Sequence, residues 1–517
     1  MNRKSFPGGK KLRILIVETC RAASPQLNLK PTPYKLFISF AIIWALMACT
    51  ETITNPELLT TKPAIFPDYT EVTIPATIAP MNFSFVEVYD KLYLRAEGAK
   101  SGSFEIQATG FFAFPEKKWK HLLAENKGSE IRFTVFVKSA GRWKQYAPFA
   151  MHVSPHPIDY GLAYRLIAPG YEVYSKMGIY QRDLSNFKER PVFENTLVPG
   201  SCVNCHAFNQ TQPSAMSLHV RGANGGTVIM NKNKLKIMDT KTDKTISACV
   251  YPYWHPSGRF IAYSVNKTQQ VFHSAKEKSI EVLDLASDIV VYDVETDELL
   301  ISDLLTTPHF ETFPAFSPDG KTLYFSCATE QNMPNDYRET RYNLCCITFD
   351  AATRTFGTTI DTLIQAETTG KSISFPKPSF DGKFLLYTLL DYGNFGIWHS
   401  EADLYLLNLE NRTTHALTEA NSPQADSYHN WSSNSRWIVF GSRRMDGLFT
   451  HPYIAAIDEN GQAGKPFLLP QKNPKRYLES LNSYNIPEFI NAPIRLDANR
   501  VAQKLLTPAR EKVAVYF

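Results

Sequence analysis

The sequence predicts a mainly β protein: a small N-terminal β-sandwich of Ig-like type, a connector that carries a cysteine–histidine motif, and a C-terminal β-propeller of about five to six blades. Three observations carry this. A short motif recurs four times in the second half, runs of period-two alternation fill residues 81–155, and Cys202-Val203-Asn204-Cys205-His206 lies between the two regions. At 517 residues the chain is too long for one core, and its 33 prolines, 25 glycines and 25 tyrosines suit strands and turns better than helices.

Residues 1–48 hold eight Lys or Arg and one acid, Glu18, so this segment carries +7 against a net charge of +5 for the whole chain. The rest is nearly neutral, which gives no electrostatic footprint for nucleic acid. The basic stretch leads into an apolar run, Leu36–Ala48, too short to span a bilayer and of the length of a signal-peptide core. It ends in Leu46-Met47-Ala48-Cys49. That tetrapeptide resembles the lipobox of bacterial lipoproteins, which implies that Cys49 is lipidated and becomes the mature N-terminus. The expected location is the cell envelope, on the periplasmic side, anchored to the inner or outer membrane by lipid. Residues 49–80, rich in Thr and Pro, are read as a tether.

Residues 81–155 alternate at period two, as in Phe83–Tyr89, Leu92–Ala96 and Ile131–Val137, with one short helical piece near Glu116–Glu125. Several such runs in so short a span predict the sandwich, and nothing in it looks catalytic. Residues 156–224 are read as a loop-like connector.

Within the connector, the two thiols of Cys202 and Cys205 stand at i and i+3 and His206 follows directly. This spacing suits thioether bonds to the two vinyl groups of a porphyrin, with the histidine beneath the iron. A redox dithiol would want a βαβ context, and a zinc site would want a second ligand pair; neither is evident. One covalent haem c is therefore expected. Met216 and His219 lie 10 and 13 residues beyond His206 and are the candidates for the second axial ligand. On a helix both would face one side. Arg221 is the candidate partner for a haem propionate, with Arg165 and Arg182 as weaker ones.

From residue 225 to 517 the chain is read as the propeller. Pro252–Tyr263, Pro314–Phe325, Pro376–Tyr387 and, more weakly, His429–Phe440 repeat one pattern: a proline-led strand end, a Ser/Asp-Gly turn and an alternating strand. The turn recurs at 258, 320, 382 and 435. Four copies do not close a ring, so residues 217–250 and the tail beyond 470 are expected to supply further blades or the closing strand. The copies resemble the WD-like repeats of TolB and related bacterial propellers. With lipobox and haem motif, the whole chain is similar to lipoproteins of Bacteroidetes described as TolB-like or cytochrome-c-containing.

Cys345 and Cys346 are adjacent in a strand-like stretch and face opposite sides, so one could pair with Cys327, simple burial being the plainer expectation. Among the propeller histidines, His309 and His429 precede first strands, where channels are lined. No catalytic constellation stands out, so whether the chain is an enzyme is open. The leading expectation is a membrane-anchored mono-haem cytochrome in which the propeller docks a redox partner protein. An oxidoreductase with its site in the propeller channel and a non-redox envelope binding module are the alternatives.

Overall fold

The computed structural model describes residues 53–169, 176–273, 280–507 and 510–517. The chain divides into Met1–Thr54 and Asn55–Phe517, and the architecture below is that of the second unit. The leader and Cys49 lie outside the described residues.

Among the described residues, six successive sets of antiparallel strands are arranged as a propeller-like ring. Blade 2 runs through Cys202–Asn209, Gln212–Arg221, Gly226–Asn231 and Lys234–Asp239; blade 3 starts at Val250–Trp254, blade 4 at Phe310–Phe316, blade 5 at Ser372–Pro378 and blade 6 at Asp426–Trp431. These first strands are innermost and pack on one another in turn. Blade 1 is built from both ends of the unit. Gly161–Ile167, Met177–Asp183 and Glu189–Glu194 come first in sequence, and Ser483–Ile490 returns as its innermost strand, antiparallel with Leu162 opposite Phe489. The expected closing strand from the tail is thus present, and it fastens the ring.

The four repeats map onto the first two strands of blades 3 to 6. Their turns need a left-handed residue: Gly258, Gly320 and Gly382 have φ of 71–75°, and Ser435 takes the same role at 57°. Space also matters at Gly320, where a Cβ would come within 2.1 Å of His255 Nε2.

The segment expected to be a connector is mostly strand, since it supplies blade 1 and the inner half of blade 2. Its signal is concealed for two local reasons. The inner strand carries a bulge between Asn204 and Ala207, which breaks the alternation. The hairpin turn at Gln210-Thr211 has φ of 47° and 62° without a glycine or asparagine to announce it.

Most N-terminal strands form one forked sheet, with Ile65–Phe66 and Ser84–Phe85 paired apart from it, and the two facing sheets of an Ig-like sandwich are not shown. Ser129–Ser139 pairs with Lys91–Gly98 on one side, and with both Phe149–Ser154 and Arg142–Gln145 on the other. The helix Glu116–Glu125 lies where the sequence places it and buries Trp119, Leu122 and Leu123. Alternation shows that one face of a strand is buried, but not what covers it. The presumed tether is partly structural too: Val72–Pro75 pairs with the sheet, and Tyr69, Val72, Ile74 and Ile78 are fully buried. Tyr69 donates to the Leu468 carbonyl, and Trp437 Nε1 donates to the Pro157 carbonyl, so this domain is joined to blade 6.

After the closing strand, the helix Ala498–Leu506 buries Val501, Ala502 and Leu505 against blades 1 and 2. Glu511–Lys512 and Ala514–Tyr516 then pair along the outer edges of blades 2 and 3, covering edges that would otherwise be open. In blade 4 a Cys327–Cys345 disulfide staples two neighbouring strands. Among the described residues no helix is long and apolar enough to cross a membrane.

Candidate functional site in the propeller channel

Each of the six inner strands bends at a bulge, and each bulge holds one residue in the left-handed region. These are Cys205, Tyr251, Phe313, Phe375, Tyr428 and Ile486, all with φ of 50–53°. Such a conformation costs a non-glycine residue on the order of 1–3 kcal/mol, so tertiary packing must hold it. The packing is visible. Phe313 lies 4.0 Å, centroid to centroid, from Phe375 and 4.9 Å from Tyr251, while Phe375 lies 5.1 Å from Tyr428. Together they form an aromatic collar around the channel.

The next residue is proline in four blades, at 252, 314, 376 and 487, and histidine in the other two, His206 and His429. Proline has no N–H to lose at a bulge. Histidine brings two ring nitrogens that need partners. His429 finds them: its Nε2 lies 2.7 Å from the Phe375 carbonyl and 3.2 Å from that of Leu386, and its Nδ1 lies 3.4 Å from Thr388 Oγ1. His206 does not. It is only 3% exposed, and neither ring nitrogen makes a hydrogen bond of good geometry among the described residues. Burial, and then the positive charge of Arg165, push its pKa down to about 3, although the nearby Ala163 carbonyl favours the charged form. His206 is therefore a neutral imidazole with its lone pair unspent.

Cys205 is buried and Cys202 half-buried, and both thiols are free. Burial raises the Cys205 thiol pKa, while the charges of Arg221 and Arg165 oppose the rise. Arg221 stands opposite Cys202 in register at the exposed end of its strand. Arg165 donates to Asn204 Oδ1, and its Nε is left without a partner. Arg182, by contrast, is spent on structure, with guanidinium hydrogen bonds to the carbonyls of Asp183 and Pro470.

Met216 and His219 lie on a strand, Gln212–Arg221, not a helix, so their i, i+3 spacing sends them to opposite faces. Met216 stands opposite Phe208 and is packed among Phe208, Leu218 and Val228. His219 faces the other way. Its Nδ1 lies 3.2 Å from Thr227 Oγ1, and burial pushes its pKa to about 3. Neither residue lines the channel cavity that His206 lines. Of the two other histidines singled out, His429 lines the channel, whereas His309 is exposed and accepts from the Glu330 N–H.

The collar residues also line a small cavity, with a volume of about 50 Å³. A second of about 30 Å³ continues it, and the two share Ala207, Lys377, Asn430 and Glu488. Lys377 and Glu488 are the residues the sequence reading missed. Both occupy the variable position of the repeat, directly after the proline, where blade 3 has Tyr253. Lys377 Nζ sits 4.7 Å from the centre of the Tyr253 ring, and Glu488 Oε1 accepts the Phe208 N–H at 3.1 Å. Burial lowers the Lys377 pKa and pushes that of Glu488 up to about 7, each partly offset by the other's charge. Comparing that one position across the repeats would have revealed Lys377; Glu488 lies in the closing strand, outside the four repeats.

No family model matches the sequence, and no curated protein matches it. Solved structures do share features of the arrangement at low similarity. An oligogalacturonate lyase in complex with manganese aligns at 10% identity and a TM-score of 0.34, over 60% of this chain and 74% of that one. Prolyl oligopeptidase B from Galerina marginata aligns at 9% and 0.34, over 65% and 42%. A puromycin-hydrolyzing peptidase of Mycobacterium tuberculosis aligns at 11% and 0.32, over 81% and 57%. This chain thus spans less than two thirds of either peptidase.

Proposed function

We propose that Cys202, Cys205 and His206 hold one covalent c-type haem and that the protein transfers electrons. The observation that carries this is His206: a buried, neutral imidazole whose nitrogens make no hydrogen bond of good geometry among the described residues, beside two free thiols at the attachment spacing. An orphaned buried polar group costs about 1–3 kcal/mol, and ligation would relieve that cost. Bound there, haem supplies one-electron transfer. The chain's own residues do the rest. The cysteines would form the thioethers, His206 would ligate the iron, and its lowered pKa means that no proton competes at neutral pH. Arg221 and Arg165, which ease Cys205 towards thiolate, supply the positive charge for the propionates.

Covalent attachment requires export, and the Cys327–Cys345 disulfide supports an oxidising compartment. In this reading Cys49 anchors the protein by lipid at the periplasmic face of the envelope, and the propeller docks a redox partner protein. The test is expression with a haem-maturation system. A red protein whose haem band survives denaturation is expected, and the Cys202→Ala/Cys205→Ala variant should lose it. A colourless wild-type product would overturn the reading.

One observation favours a second reading, that of an oxidoreductase working at the channel. Met216 and His219 face opposite sides of their strand and neither shares the His206 cavity, so no second ligand is ready at hand. Ready binding of carbon monoxide by the reduced protein would favour chemistry over simple electron transfer. Refusal would favour two protein ligands, and separate Met216 and His219 replacements would then find the second.

A further inference from the structure

We propose that the channel below the aromatic collar binds a small carboxylate that carries a neighbouring hydroxyl or ammonium group. The site is made by three residues that meet where the two cavities join: Lys377, Asn430 and Glu488. Lys377 points its ammonium across the channel, and no carboxylate among the described residues lies within the 4.0 Å of an ion pair. It lies over the Tyr253 ring and also feels the charge of Glu488, with which it makes no direct ion pair among the described residues. Asn430 is 9% exposed; its Oδ1 accepts the Trp431 N–H, and its Nδ2 donates to nothing described. Two donors are thus unspent, one of them cationic. Glu488 has one oxygen on the Phe208 N–H and the other available as an acceptor.

This set suits one kind of ligand. A carboxylate would take the Lys377 and Asn430 donors, as a charge-assisted pair in a site shielded from water. Glu488 would accept from the ligand's hydroxyl or ammonium group. Tyr253, Trp254 and Phe316 supply flat apolar walls for a short side chain. A simple hydrocarbon would leave the lysine unmet, and a polyanion would meet Glu488 and be repelled. Nothing in the argument uses the thiols, so it goes beyond the haem reading.

Titration calorimetry with L-lactate, L-alanine and acetate tests it, on full-length protein made with and without the haem-maturation system. Saturable binding of L-lactate or L-alanine, at least about ten-fold tighter than acetate, is expected. Lys377→Met should weaken it by at least about ten-fold, and Glu488→Gln should weaken L-alanine more than L-lactate. If Lys377→Met fails to fold by circular dichroism, Asn430→Leu serves instead, with a loss of about ten-fold expected. No saturable binding of either acid in either preparation overturns the proposal, as does undiminished binding in a folded variant. A colourless protein that still binds L-lactate would sink the haem reading alone; a red protein that binds neither acid would sink this one alone.

Discussion

Blade 4 bends its inner strand at Phe313, φ 51°, and follows it with Pro314; blade 2 bends its own at Cys205, φ 50°, and follows it with His206. The two strands have the same bulge, the same left-handed residue and the same place in the ring. They differ in what the slot is used for. In blade 4 it is used for packing: Phe313 closes on Phe375, Tyr251 and Phe395, and Pro314 brings no hydrogen to satisfy. In blade 2 the same slot is filled by a thiol and by an imidazole that makes no hydrogen bond of good geometry among the described residues. Even the cysteines contrast in part: Cys327 and Cys345 of blade 4 are joined, though Cys346 is free, and Cys202 and Cys205 of blade 2 are both free. A repeat that can be filled by Phe-Pro does not need Cys-His for its fold, so the exchange points to chemistry.

The sharpest way to break this contrast is to erase it. His206→Pro restores the residue found in four of the six strands. The fold should survive, with an unchanged circular dichroism spectrum, while the haem spectrum of matured protein is lost. Retention of that spectrum would mean that the histidine is not the ligand. The reverse experiment strikes the packing side. Phe313→Ala removes a ring that is 4% exposed at the centre of the collar and should cost about 3–5 kcal/mol in denaturant unfolding. A cost below ~1 kcal/mol would show that the collar does not hold the bulges.

The two histidines at the proline position sharpen the comparison by pH. His429 is held neutral, its pKa lowered by burial from 6.5 to about 3. Below 6.5 the unfolded chain binds a proton that the folded one refuses, so the stability is complete above 6.5 and is lost as pH falls towards 3. Relative to His429→Phe, the wild type should lose stability by at most roughly 1.4 kcal/mol per pH unit across that window. Parallel stability curves would mean that His429 is not the neutral group described. Glu488, with its pKa raised to about 7, acts in the opposite sense, but it is common to both proteins and cancels. The smallest effect is expected at His206→Leu in haem-free protein. Deleting two unpartnered nitrogens should change stability by less than about 1 kcal/mol, or raise it. A loss of several kcal/mol would reveal a structural partner for this imidazole.

Much of this was legible before folding. The repeats at 252, 314, 376 and 429 announced four blades because a Ser/Asp-Gly turn and an alternating strand are local instructions. The Cys-x-x-Cys-His spacing, on which the haem proposal rests, could be read without the fold. What escaped was signalled weakly or not at all. Blade 1 is split between residues 161–194 and 483–490, and no local pattern can join strands that far apart. Blade 2 hid behind its bulge and its glycine-free turn. The spacing of Met216 and His219 was compatible with a helix, and only the strand shows that they part to opposite faces.

The sequence by itself determined the strands, the turns and the pairing of two cysteines with a histidine, because these depend on the chemistry of neighbours along the chain. Only the tertiary structure decided which side chains meet. Ring closure brings Cys205, His206, Lys377, Asn430 and Glu488 to one channel, from four strands in four blades. Closure also buries them, and burial is what leaves His206 neutral and unpartnered and sets Lys377 against an aromatic ring. The motif at Cys202–His206 names a chemistry; the ring places it at the edge of a channel.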